Sequence, residues 1–253
     1  MVITMRANNV LGIIYSNAYD SVLSELTNAR TMGSVPFGGR YRLIDFALSN
    51  LVNCGINKVG IITKSNYQSL MDHIGTGKPW DLSRKRGGMF LLPPFNNSHT
   101  GMYRDRIQAL RGIMRFLEQS KEEYIVLMDT NVVCNFDLND MCRAHTESGA
   151  DITIAYHHGR APRLDDLMTF TFEENQKVAK IALDPKTSNP VDYAMNIILI
   201  SKALLTRLIN NAVSLNQDSF VRDVIQHNLK RLNIYGYEVS GFTSVFDSLQ
   251  SYY

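Results

Sequence analysis

The residues of this chain best equipped to meet a ligand gather first in the segment Tyr15-Ser16-Asn17-Ala18-Tyr19-Asp20-Ser21-Val22. The segment follows a near-continuous apolar run, Asn9 to Tyr15, whose length and hydrophobicity fit a strand covered on both faces. In open parallel sheets ligands bind beyond the carboxyl ends of the strands, so a phosphate cradle belongs in this loop. A backbone that wraps a triphosphate needs residues without Cβ at close approach, and usually a cation. This loop has no glycine and offers two tyrosines and a carboxylate instead. Anionic nucleotide binding is disfavoured there on charge alone.

Other reactive side chains are sparse. Arg84-Lys85-Arg86 precedes Gly87-Gly88 and reads as an exposed loop or an anion contact. His157-His158 ends a strand pattern without a carboxylate partner at helical spacing, and Cys142 with His145 is a lone pair, so neither makes a metal site. The three cysteines, Cys54, Cys134 and Cys142, form no CxxC pair, and reduced structural thiols are expected. The 26 Lys and Arg against 24 Asp and Glu leave a net charge of +2, too weak a field to argue for nucleic acid or membrane as partner. With 45% hydrophobic and 20% charged residues among 253, the composition is that of a folded globular protein. No stretch approaches the roughly 18 apolar residues of a membrane helix, and the start lacks the pattern of a secretory signal, so cytoplasm is the expected compartment.

The elements that must position these residues follow from periodicity. Helical spacing over Arg42 to Asn53 stops at Cys54-Gly55, and Lys58 to Ile62 is the next strand. A helix capped by Ser65 or Asn66 runs through His73, a long loop reaches about Gly88, and Met89 to Leu92 is a short strand. Ile107 to Leu117 has a helical period and feeds the buried strand Tyr124 to Met128. Ile152 to Tyr156 and Met195 to Ile200 read as strands, Thr169 to Phe172 and Val178 to Ile181 as a hairpin. Lys202 to Asn210 and Ser219 to Leu232 read as helices, and Ile234 to Val239 as a last strand. Alternating strands and helices predict a doubly wound α/β layout with a mostly parallel central sheet, and no repeat or linker divides residues 1–253.

The run Val35-Pro36-Phe37-Gly38-Gly39-Arg40-Tyr41-Arg42-Leu43-Ile44-Asp45-Phe46-Ala47-Leu48-Ser49-Asn50 closely resembles the PFGGKYRLIDFALSN signature of glucose-1-phosphate adenylyltransferases, or ADP-glucose pyrophosphorylases. Similarity continues through Ile61-Ile62-Thr63, His73-Ile74, Tyr124-Ile125-Val126, the hairpin at Thr169 to Pro185, Phe220 to Ile225 and Ser251 to Tyr253. The resemblance implies a Rossmann-like nucleotidyltransferase fold over residues 1–253, of the nucleotide-diphospho-sugar transferase kind. It also implies a role in glycogen biosynthesis, joining glucose 1-phosphate to ATP to make ADP-glucose. Family members continue into a β-helix domain, which is expected to be absent from this chain.

Residue by residue, the family's catalytic positions are degenerate. Its GGxGxRL loop falls on Asn17 to Leu23, with Asn17, Ala18, Asp20 and Val22 replacing the three glycines and the arginine, and the lysine of its KP pair falls on Met32. One metal aspartate aligns with Asn131 and the second with Val245, leaving Asp129 and Asp247 as weak replacement candidates. The Lys of its EKP falls on Asp184, the Ser of its SMG on Ala194, and its YxGTADA helix start on Tyr103 to Ala109. Phosphoryl-type transfer runs on positioning and charge neutralisation. The resemblance therefore implies a catalytically impaired, GlgD-type regulatory subunit with no cofactor, forming a hetero-oligomer with a catalytic GlgC-type partner. Two alternatives stay open: an active enzyme using Mg2+ on displaced ligands, and a non-catalytic sensor of a sugar-phosphate effector. Gly38, Gly39, Arg40 and Arg42 are the effector-binding candidates, against a tight turn leading into the helix; Asp45 is expected to pair with Arg42 or cap a neighbouring loop.

Overall fold

The computed structural model describes residues 5–84, 87–94, 103, 105–135 and 137–253, so Lys85 and Arg86 of the basic run lie outside the described residues. Its frame is a nine-stranded sheet. The strands used below are β1 (Val10–Tyr15), β2 (Lys58–Ile62), β3 (Gly88–Leu92), β4 (Tyr124–Asp129), β5 (Val132–Cys134), β6 (Ile152–Gly159), β7 (Met168–Phe172), β8 (Val178–Leu183), β9 (Val191–Ser201), β10 (Ile234–Glu238) and β11 (Thr243–Val245). The helices are α1 (Leu43–Asn53), α2 (Gln68–Ile74), α3 (Arg106–Gly112), α4 (Met114–Gln119), α5 (Leu138–Ser148) and α6 (Lys202–Ser214). The order is β8-β7-β9-β4-β1-β2-β3, with β6 joining β9 to β10. Strands β3, β2, β1 and β4 run parallel, and β9 enters antiparallel beside β4.

Strand alternation builds two cores. Leu11, Ile13, Ile125 and Leu127 face the layer of α3, α4 and α6, whereas Val10, Ile14, Val126 and Met128 face α1, α2 and α5. Apolar spacing then docks the helices: α1 through Ile44, Ala47, Leu48 and Leu51, α6 through Leu204, Leu205, Leu208 and Ile209. Because β1 lies between β2 and β4, the chain reverses its winding direction there and a crevice opens at the carboxyl ends of β1 and β4.

Four elements differ from their sequence patterns. The helix expected to be capped by Ser65 or Asn66 starts at Gln68, with Tyr67 at its N-cap and no side-chain cap bond, because Asn66 turns at φ +53° and donates to Asn28 O at 3.0 Å instead. The period over Ile107 to Leu117 is served by two helices: Ile113 (φ −101°, ψ 9°) breaks the run after Gly112. Its N–H donates to Leu110 O at 3.2 Å, three residues back, while Leu110 and Leu117 still reach the core. The helix expected over Ser219 to Leu232 is a π-helical turn, Phe220–Ile225, followed by a 3-10 turn, Gln226–Asn228. The wider turn buries Phe220, Val221, Val224 and Ile225 together. Strand β9 is longer than its apolar stretch because pairing with β6 and β7 carries Val191 to Tyr193 into the sheet. Its register shifts between Ala194 and Ile198, leaving Asn196 at φ +54°.

Gly236 in β10 sits where a Cβ would fall 2.4 Å from Phe172 Cε1 and 2.8 Å from Tyr156 Cε1. Gly236→Ala is expected to cost about 1–3 kcal/mol by overpacking, read as a lower urea midpoint at unchanged slope. Gly112→Ala, with nothing within 4 Å of the added Cβ, is expected to be neutral or stabilising by up to about 1 kcal/mol.

Candidate functional site

Register sets the site. Tyr15 and Asp129, the last residues of β1 and β4, are direct partners in the parallel ladder, with Tyr15 lining the crevice and Asp129 buried beneath it. Arg106, the first residue of α3, reaches over them. Its Nη2 donates to Asp129 Oδ1 at 2.8 Å and Oδ2 at 2.6 Å, and its guanidinium carbon lies 4.5 Å from the Tyr15 ring centroid and 5.8 Å from that of Phe220. The Asp129 side chain is 0% exposed and that of Arg106 16%. Burial pushes the Asp129 carboxyl above its ordinary range, opposed by Arg106, while the same carboxylate holds the arginine firmly charged. The crevice floor thus carries its own cation, already neutralised.

The glycine-free loop closes on itself. Asn17 Oδ1 accepts from Lys64 N at 2.7 Å, and its Nδ2 donates to Asp20 Oδ2 at 2.7 Å and Ser65 O at 3.1 Å. Asp20 Oδ1 accepts from Met32 N at 2.7 Å. Burial raises the Asp20 carboxyl to about 6 against these hydrogen bonds and the nearby Lys64 charge. Tyr19 takes the left-handed conformation (φ 61°) and crosses the crevice, where its hydroxyl accepts from Asn196 Nδ2 at 2.9 Å. Ala18 lines the crevice with it. The side chains of Asn17 and Asp20 are spent on each other and on the backbone N–H groups of Lys64 and Met32. Tyr15 Oη is buried without a hydrogen-bond partner among the described residues.

The two positions aligned with metal aspartates are brought together, since Val245 pairs with Val132 in the β11–β5 ladder and Phe246 N donates to Asn131 O at 2.8 Å. Asn131 is fully buried with neither amide atom bonded among the described residues, and Val245 packs on the apolar core. The replacement candidates are engaged elsewhere: Asp129 by Arg106, and Asp247 by Arg163 N at 2.7 Å and Ser248 Oγ at 3.0 Å. A hard divalent cation such as Mg2+ wants several free oxygen ligands, carboxylates among them. One neutral amide, a valine and two committed carboxylates do not fit it. Among the described residues no cluster of three or more His, Cys, Asp or Glu is arranged to hold a metal.

The remaining positions are structural in their contacts. Met32 and Ala194 are buried in the core, and Val22 packs against the Met32 cluster. Asp184 (φ +48°) brackets Leu167: its Oδ1 accepts from Leu167 N at 2.9 Å and its N donates to Leu167 O at 3.0 Å. Gly38 and Gly39 (φ +58° and +85°) turn the short hairpin Pro36–Phe37 to Tyr41–Arg42, with Arg40 exposed at its tip and 5.3 Å from the Tyr41 ring. Arg42 is tied inward, donating to Ser34 O at 3.1 Å and Ser69 O at 3.0 Å. Asp45 caps α1 by accepting from Arg42 N at 2.9 Å and holds His73 Nε2 at 2.6 Å.

The resulting cleft, about 300 Å3, has aromatic walls from Tyr15, Tyr19, Tyr103 and Phe220. Its charged lining is Lys64 and Arg106 against Asp105, Asp165, Asp166 and Asp218, and the helix-capping carboxylate of Asp105 accepts from Gln108 N at 2.8 Å. The balance repels a polyphosphate. Sequence reasoning passed over Arg106, Lys64 and Asn196. The available signal for Arg106 was an arginine at the helix start aligned with the family's YxGTADA, together with an aspartate, Asp129, closing the apolar strand run that follows.

The sequence matches the model of the nucleotidyl transferase family over residues 12–239. It is 31% identical over 249 residues to the glycogen biosynthesis protein GlgD of Bacillus subtilis (strain 168), covering 98% of this chain and 63% of that one. To GlgD of Geobacillus stearothermophilus it is 41% identical over 157 residues, 61% of this chain and 45% of that one. To the glucose-1-phosphate adenylyltransferase of Clostridium kluyveri it is 28% identical over 260 residues, 98% of this chain and 66% of the relative. The chain therefore spans less than two thirds of the length of these relatives. A solved Bacillus anthracis structure designated a glucose-1-phosphate thymidylyltransferase, in complex with a sucrose, superposes with TM-score 0.75 at 18% identity, over 96% of this chain and 92% of that one, and shares the fold.

Arg106→Met leaves the buried Asp129 charge unpaired and is expected to cost about 3–5 kcal/mol in chemical denaturation, most of which Arg106→Met with Asp129→Leu should restore. The Asp20 carboxyl titrates at about 6 in the folded chain and near 3.8 when unfolded, so the folded state holds this proton more tightly. Its stabilisation is present below 3.8 and lost as pH rises to about 6. Asp20→Asn should therefore gain stability relative to the parent chain across that window and hold a constant difference above it, measured as paired urea midpoints from pH 4 to 7.

Proposed function

The chain belongs to the nucleotidyl transferase family, and from that membership we propose that it is a catalytically impaired, regulatory subunit of a glucose-1-phosphate adenylyltransferase in glycogen biosynthesis. It would act in the cytoplasm as part of a hetero-oligomer with a catalytic GlgC-type chain. No helix among the described residues is long and apolar enough to cross a membrane. The observation that carries the reading is the Arg106–Asp129 pair, with Nη2 at 2.6 and 2.8 Å from the two carboxylate oxygens at the end of β4. Nucleotidyl transfer needs cations whose charge is available to the phosphates as negative charge moves between them. Here the arginine's charge is cancelled by a buried neighbour, the polar side chains of the loop, Asn17 and Asp20, are bonded to protein partners, and the aligned metal positions carry an amide and a valine.

Steady binding of the two substrates in a reactive geometry would require this pair and the Asn17 hydrogen bonds to break at once. The active-enzyme alternative asks Asp129 and Asp247 to share a cation, yet each is bonded to a different partner. Purified chain supplied with ATP, glucose 1-phosphate and Mg2+ is expected to release no pyrophosphate above the protein-free rate. Mixed with a GlgC-type partner, it should co-elute in size-exclusion chromatography and change that partner's kcat or KM. Turnover by the isolated chain at a rate of about 1 s⁻¹ or more, in the ordinary enzymatic range, would overturn the proposal.

A further inference from the structure

The charges around the central cleft do not cancel among the described residues. Arg106 is spent on Asp129 at 2.6 and 2.8 Å, and the Lys64 charge acts on Asp20, favouring its ionised form. Asp105, Asp165, Asp166 and Asp218 also line the cleft, and its described lining offers no further cation to face them. Asp218 is answered from outside by Arg222, whose Nη2 donates to it at 2.9 Å while its Nε serves Asp223 at 3.0 Å. Asp105 gives one oxygen to Gln108 N. Asp165 and Asp166 are adjacent and exposed, and neither side chain has a hydrogen bond or ion pair among the described residues.

These carboxylates are held where they stand. Leu164 and Leu167, on either side of the Asp165-Asp166 pair, are buried, Asp166 turns at φ +60°, and Leu167 exchanges hydrogen bonds of 2.9 and 3.0 Å with Asp184. Partial desolvation, then the neighbouring Asp184 carboxylate, raises the Asp166 carboxyl above its ordinary range, and desolvation does the same for Asp105. A positive charge among them stabilises each. Because the rim is preorganised, little ordering opposes its binding.

The walls decide which kind of cation. Tyr15, Tyr19, Tyr103 and Phe220 present rings to the cleft, and two of these already hold the chain's own cations: Arg106 lies 4.5 Å from the Tyr15 centroid and Lys64 5.8 Å from that of Tyr103. Ring faces attract alkylammonium groups and cover methylene stems. A small divalent metal ion instead needs several oxygens converging on one point. At the floor Tyr15 is 5% exposed and its hydroxyl has no partner among the described residues, so an acceptor for an N–H remains unused. More than one carboxylate is unanswered, which matches a ligand with more than one ammonium group. We propose that the central cleft binds an aliphatic polyamine, its ammonium groups on Asp165, Asp166 and Asp105 and its methylene stem against Tyr19, Tyr103 and Phe220. The assignment goes beyond the regulatory reading and stands whether or not the chain modulates a catalytic partner.

Calorimetric titration of the purified chain with spermidine tests this. Saturable binding is expected, weakened about tenfold in the double variant Asp165→Asn, Asp166→Asn and about threefold in Tyr103→Leu. Removing two carboxylates elsewhere on the surface, in Glu147→Gln with Glu238→Gln, should leave the affinity unchanged, which separates this site from general attraction to an acidic surface. Mg2+ should displace spermidine no better than NaCl of equal ionic strength. Asp165 and Asp166 are both exposed, so their double variant is expected to keep the parent's Tm, which a thermal melt verifies. Absence of saturable binding to the parent chain, full affinity in the folded Asp165→Asn, Asp166→Asn variant or in Tyr103→Leu, an equal loss in the Glu147→Gln, Glu238→Gln variant, or stronger displacement by Mg2+ than by NaCl each overturns the assignment.

Discussion

A charge buried at the end of a central strand must be compensated where it stands, and in this protein that requirement organises the crevice. Asp129 is out of water, so some cation has to lie against it. Arg106 supplies that cation from the first turn of α3, and in doing so spreads its guanidinium over Tyr15 and against Phe220. The first turn of α3, the end of β1 and the π-helical turn thus meet around a single pair. The positive charge that Arg106 brings to the crevice is thereby matched by the chain's own carboxylate.

The loop after β1 obeys the same economy. Backbone N–H groups that would otherwise be orphaned are given protein acceptors: Lys64 N by Asn17, and Met32 N by Asp20. Asn17 and Asp20 do structurally what a bound anion would do for a glycine-rich turn, which is to satisfy donors and hold the loop's shape. The cost appears at Tyr19, a bulky residue in the left-handed region, stabilised by the bond its hydroxyl accepts from Asn196 across the crevice. Asn196 in turn reaches it because β9 carries an irregularity at the matching level. Loop, bulge and ion pair therefore form one connected arrangement, and a substitution in any of them is felt by the others.

Much of the frame was legible beforehand. The near-continuous apolar runs at Val10 to Tyr15 and Tyr124 to Met128 have the length of strands covered on both faces, and the spacing from Leu43 to Leu51 is that of a helix; both readings match the structure. The signature from Val35 to Asn50 marked the family, and the resemblance put Asn131 and Val245 on the positions of two metal aspartates; in the structure Val245 pairs with Val132, the residue after Asn131. What periodicity missed were elements whose shape is set by partners. A helical period survives a break such as that at Ile113, because the buried residues keep their faces, and a polar stretch such as Val191 to Tyr193 becomes strand only when a neighbour supplies the ladder.

By itself the sequence determined the doubly wound layout, the absence of glycine and of basic residues from the loop after β1, and the neutral side chains of Asn131 and Val245. These are properties of residue type and local order, fixed by sterics and charge wherever the side chains point. Only the tertiary structure decided that Asp129 is silenced by Arg106, that Asp20 and Asn17 tie the loop shut, and that Asp105, Asp165 and Asp166 gather with Tyr19 and Tyr103 around one cleft. Electrostatic pairing depends on distance and on exclusion of water. Both are set by the strand register and helix docking that bring together residues far apart in the chain.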